Sequence, residues 1–126
     1  MGVHHLAFAT KDLAANHRFY TEAMGFELVK VEVAPMGKGW AKHLFYSTGS
    51  ARDQLVAFWD LHDPSLGEWS ADISRGQGLP VGVNHLAFSA DGMDDLGQAH
   101  LPRGEQSHCQ SQRLVVREHH RRQFEA

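Results

Sequence analysis

The sequence predicts an α+β fold of paired βαβββ modules, with a second module that loses its pattern toward its end. One observation is a repeat: Val-His-His-Leu-Ala-Phe at residues 3 to 8 returns as Val-Asn-His-Leu-Ala-Phe at 83 to 88, only His4 and Asn84 differing. Another is that each copy leads into a helix start, at Asp12-Leu13 after the first and at Asp91 to Leu96 after the second. The third is the element order of the first half, strand, helix and three strands. A six-residue match also arises when strands share an apolar vocabulary. The shared position and shared successor favour duplication.

Val3 to Phe8 alternates and is β-prone, which makes it the first strand. Asp12 is a good N-cap, and Leu13, Tyr20 and Met24 recur at helical spacing, joined by Phe19 and Ala23 on a neighbouring stripe. Gly25 closes that helix at the C′ position. Phe26 to Val33 then reads as a strand, Pro35 to Gly39 as a turn, and Trp40 to Thr48 and Gln54 to Leu61 as two more strands.

His62 to Pro80 is punctuated by Pro64, Gly67, Gly76, Gly78 and Pro80 and reads as a connecting loop with one helical turn. A single domain over 1–126 is expected, with module one at 1–62, a linker at 63–81 and module two at 82–126. From Gly97 onward the plan breaks, because Pro102 and Gly104 interrupt the expected helix. Five of the eight arginines lie in these last 30 residues and none of the four lysines does, which fits either a diverged end or a shifted reading frame.

Length and composition bound the function. At 126 residues there is room for one core, and 42% apolar with 21% charged residues is the balance of a globular protein. A net charge of -3 with no basic stripe argues against nucleic acid as a partner. The lone Cys109 forms no internal disulfide, the start shows no export signal, and no run of about 18 apolar residues exists. A cytoplasmic protein without membrane attachment is expected. No phosphate loop, nucleophile elbow or Cys-x-x-Cys is present.

The stretch "VHHLAFATKDLAANHRFYTEAMGFELVKVE" with the returning "GVNHLAFSA" resembles the vicinal oxygen chelate superfamily, which includes glyoxalase I, extradiol dioxygenases, and fosfomycin- and bleomycin-resistance proteins. The resemblance covers roughly residues 3 to 96. It implies the glyoxalase/dioxygenase-like fold, paired βαβββ sheets curled around a cleft that holds a divalent metal on His or Glu ligands. Position by position, the resemblance implies His5 on the first strand, Asp60 on the last strand of module one and His85 on the first strand of module two. A fourth ligand would be a glutamate near the C-terminus, for which Glu118 after Leu114-Val115-Val116 is the nearest stand-in. The family's final Gly-bearing turn and Glu-containing strand are not recognisable here.

Strand alternation puts His5 with Ala7 and Ala9, His85 with Ala87 and Ser89, and Asp60 with Val56 and Phe58. Small neighbours leave room beside each histidine. Two imidazoles and a carboxylate suit Fe, Mn, Ni, Co or Zn better than Ca or Mg. An isolated histidine is more often a hydrogen-bonded core or surface residue, and recurrence in both copies is what singles out His5 and His85. His4 reads as structural or surface, His17 as solvated, His43 as able to line the pocket, His62 as surface near its mouth, and His119-His120 as a solvated run. Trp40, Phe45, Phe58 and Trp59 offer an apolar wall, at least two of them as core.

The expected function is that of a metal-dependent glyoxalase- or dioxygenase-like enzyme acting on a small oxygenated organic substrate chelated through adjacent oxygens. Glu118 doubles as ligand and general base in that reading. The alternatives are a non-catalytic small-molecule binder of the bleomycin-resistance type and an inactive remnant with an altered C-terminus. A homodimer is expected, because a module short of strands leaves an edge for another chain to cover.

Overall fold

Small and bulky residues alternate along β1, His5–Thr10, and the strand ends where Thr10 Oγ1 bonds the backbone of Asp12. The computed structural model describes residues 2–49, 54–90 and 114–118. Asp12 caps the helix α1, Leu13–Arg18, by accepting at Oδ1 from the Ala15 amide at 2.9 Å. The helix does not continue as α. Residues Phe19–Ala23 widen into a π turn, with the Met24 amide bonded to the Phe19 carbonyl. At that point the Thr21 hydroxyl donates to the His17 carbonyl at 2.7 Å, which competes with the regular backbone ladder. Gly25, at φ 67, ends the helical segment as expected.

Three strands come next: β2, Glu27–Met36, β3, Gly39–Ser47, and β4, Leu55–His62. They form a four-stranded sheet in the order β1-β4-β3-β2, with β1 parallel to β4 and the other pairs antiparallel. This is the expected βαβββ module. The turn expected over residues 35 to 39 is shorter, because β2 runs through Pro35 and only Gly37 and Lys38 turn. Edge strands tolerate a residue without an N–H, and β2 is an edge.

Tyr20, Leu44, Tyr46, Val56 and Phe58 form the buried core, with Phe8, Leu13, Phe19 and Phe26 packed against it. All of this lies on the helix side of the sheet. Burial of each such side chain contributes roughly 1.5–3 kcal/mol. Between Leu28 and Lys30 the β2 register shifts, so Leu28 packs on the core while Lys30 pairs with Phe45 on the other face.

The connection to module two is held by its own side chains. Asp72 Oδ1 accepts from the Ser74 and Arg75 amides, starting a 3-10 turn at Arg75–Gln77. Ser74, 1% exposed, then clamps Asn84: its hydroxyl donates to the Asn84 carbonyl at 3.0 Å and accepts from the Asn84 amide at 2.9 Å. The Asn84 side chain adds a bond of its own, donating from Nδ2 to the Ile73 carbonyl at 2.8 Å. The appearance of Asn84 where the first copy of the repeat has His4 has this physical reason.

β5, Leu86–Ala90, pairs in parallel with β6, Leu114–Glu118. The register repeats that of module one: Leu6 faces Val56 as Leu86 faces Leu114, and Thr10 faces Asp60 as Ala90 faces Glu118. Leu86 and Phe88 pack against the core, and Phe88 meets Phe26 at 5.1 Å between ring centroids. The helix expected from Asp91 to Leu96, and most of the irregular tail, lie outside the described residues.

Candidate functional site

Sheet parity divides the chemistry between two faces. The core and α1 occupy one. On the other, β1 presents His5, β4 presents Ala57 and Trp59, β3 presents His43 and Phe45, and β2 presents Lys30 and Glu32. Ala57 is opposite both Ala7 and Phe45, so a methyl group lies where a larger side chain would stand between the rings of His5 and Phe45.

His5 is exposed at the start of β1, and its Nδ1 lies 2.9 Å from His4 Nδ1, one ring donating to the other. Its ring is 5.5 Å from Phe45 and 6.3 Å from His43, centroid to centroid. His43 is 6% exposed, stacked on Trp59 at 3.7 Å and 11°, with Phe45 at 4.1 Å. Its Nε2 is buried without a hydrogen-bond partner among the described residues. Burial holds the imidazole below its ordinary pKa, Glu32 opposes that and His5 adds to it. Glu32, the cross-strand partner of His43, is itself held low, chiefly by its bond to Lys30 Nζ at 2.6 Å.

His85 stands before β5 as His5 stands at the head of β1. Leu86 and Phe88 are half-buried in the core while His85, Ala87 and Ser89 are exposed, so the parity of His85 is that of His5. Asp60 is placed differently. It shares its face with Val56 and Phe58, as expected, but that is the core face, and its neighbours are Thr10 and Lys42. Its Oδ2 bonds His62 Nε2 at 2.8 Å, and His62 stacks on Trp40 at 3.9 Å. Glu118 lies in backbone register opposite Ala90, the position that Asp60 holds in module one. Among the described residues no three His, Cys, Asp or Glu side chains gather as a metal site.

Of the aromatic wall, Phe45 and Phe58 are buried, on opposite faces, Trp59 is half-buried and Trp40 is 40% exposed. His17 is not simply solvated, since its Nδ1 is 3.0 Å from the buried Tyr46 hydroxyl. His43 is the residue that sequence reasoning underrated. Its parity with Phe45 along β3 was visible, but its contact with His5 depends on the small Ala57 of an intervening strand.

Residues 2–101 match the family model described as the Glyoxalase/Bleomycin resistance protein/Dioxygenase superfamily. The crystal structure of SMU.1112c is similar in fold, with a TM-score of 0.53 and 22% identity over 79% of this chain and 71% of that one. No curated protein matches the chain.

Proposed function

The chain belongs to the glyoxalase/bleomycin resistance protein/dioxygenase superfamily, and on that premise we propose a metal-dependent enzyme acting on a small oxygenated organic substrate that binds through adjacent oxygens. The observation that carries this reading is the equivalence of His5 and His85, two imidazoles at matching positions of β1 and β5, with Phe8 of the one strand and Leu86 and Phe88 of the other packed on the core.

The donor chemistry fits a borderline divalent cation, Fe, Mn, Ni, Co or Zn, because the ligands are nitrogens and an additional buried imidazole nitrogen nearby lacks a partner among the described residues. His5 and His85 would hold the ion. Asp60 would have to leave His62 and change faces to join them, so we place it outside the set. Glu118, expected as a further ligand and general base, holds in β6 the register position that Asp60 holds in β4, and it falls outside the set for the same reason. A bound cation would supply Lewis acidity to the two substrate oxygens. The chain itself supplies a wall of Phe45 and Trp59 that would keep water from one side of the substrate.

Metal content of protein purified without chelator tests this. About one equivalent in the wild type, lost in His5→Ala and His85→Ala, is expected, while equal content in all three proteins sinks the site. The aromatic pair Phe45 and Trp59 also favours a second reading, a ligand-sequestering protein without catalysis, whose mark is tight binding of a small organic molecule that a chelator leaves unchanged. A cytoplasmic homodimer completes the proposal, and light scattering that finds a monomer would remove its second half. No helix among the described residues is long and apolar enough to cross a membrane.

A further inference from the structure

Building on the metal reading above, we infer that His43 is the second ligand that module one contributes beside His5, taking the role expected of Asp60. The first ground is the unsatisfied nitrogen. His43 is 6% exposed and its Nε2 has no partner among the described residues. An unpaired buried group of this kind costs about 1–3 kcal/mol, and a histidine kept there needs a reason that an apolar ring of the same shape would not meet.

The second ground is orientation. Trp59 stacks beneath the His43 ring at 3.7 Å and Phe45 closes on it at 4.1 Å, so the imidazole plane is fixed without using Nε2. His5 has the complementary arrangement, with Nδ1 engaged by His4 and Nε2 the nitrogen left to bind. Metal-bound imidazoles usually donate their other ring N–H to a hydrogen-bond partner, the arrangement that His5 has with His4, while His43 is held by its ring stack instead.

The third is spacing. Nitrogens bound at about 2.0–2.1 Å to one cation put two imidazole centroids roughly 5 Å apart at a tetrahedral metal and about 6.4 Å apart only when the two bind trans to each other. The His5 and His43 centroids are 6.3 Å apart, so the exposed His5 ring would close by about 1 Å to share a tetrahedral ion with His43. Ala57 separates their strands with only a methyl group, and β4 offers no donor on this face, where it carries Leu55, Ala57, Trp59 and Leu61. Asp60 is engaged with His62 on the opposite face.

The test is Zn(II) titration of the full chain by calorimetry, with the histidine ring nitrogens followed by NMR. Wild-type protein should bind Zn(II) with a large shift of the His43 Nε2 resonance. His43→Phe, which keeps the stack and removes the nitrogen, should lose about tenfold or more in affinity, whereas Asp60→Asn should stay within about twofold of wild type. An unmoved His43 resonance, or unchanged affinity in His43→Phe together with loss in His5→Ala, overturns the inference and leaves the metal reading standing. No Zn(II) binding by the wild type overturns both. If His43→Phe does not fold, the wild-type resonance decides.

Discussion

Tyr46 has no exposed surface, and its hydroxyl meets the His17 ring at 3.0 Å from within the core. Burial pushes its phenol up to about 12, from an ordinary value of 10.0. The folded state therefore keeps the proton that the unfolded chain gives up first. The contribution of this group to stability is constant below pH 10 and falls between pH 10 and about 12, by roughly 2 to 3 kcal/mol in all. Urea midpoints at pH 9 and pH 11.5 should show that decline, and Tyr46→Phe should flatten it at a cost of about 1 kcal/mol near neutrality. At this scale the sequence was legible where residues recur and illegible where they meet across strands. His5 and His85 stand out because the same hexapeptide carries both. The His17–Tyr46 bond and the His5–His43 approach depend on which strands are neighbours, and neither residue's local surroundings announce it.

Elements were read well where their ends have local chemistry. Asp12 and Gly25 bound the helical segment in sequence and in structure because a carboxylate satisfies a free amide and a glycine accepts positive φ. Asp12→Ala should cost about 1 kcal/mol in chemical denaturation and leave the sheet amides as protected as before. The π turn at Phe19–Ala23 and the continuation of β2 through Pro35 escaped such reasoning, since they stem from the Thr21–His17 bond and from the place of β2 at the sheet edge. The end of β4 passes close to the start of β3, and a methyl group on Gly39 would collide with the His62 carbonyl there. The irregularity at Leu28 and Lys30 is the least legible feature. Residues 28 to 33 carry no break in sequence that marks it, yet the shift decides that Lys30 and Glu32 stand beside Phe45 and His43 rather than over the core.

For the whole molecule, the repeat foretold a paired plan, and the common register of β1 with β4 and of β5 with β6 extends the pairing beyond the hexapeptide that announced it. It also explains why Asp60 parts company with the histidines. Asp60 and Glu118 occupy one register position in their modules, and in module one that position belongs to the core-facing set. The Ser74–Asn84 clamp fixes the linker to the start of module two, and the Phe26–Phe88 contact joins module two to module one. Ser74→Ala would strand two backbone groups of Asn84, so we expect a loss of about 1–3 kcal/mol and faster amide exchange at Asn84, with β3 and β4 amides unchanged.

The parallel pairing of β1 with β4 has a kinetic consequence. Its register begins by joining His5 to Leu55, so the helix and the hairpin of β2 and β3 lie inside the loop that this contact must close. Hairpin contacts are local and form without that closure, whereas β1 gains its partner only after most of the module's chain is in place. Loop closure therefore sets the strand that carries His5 last in module one to gain its partner, and a nascent chain has the face shared by His5 and His43 only once β4 has been made.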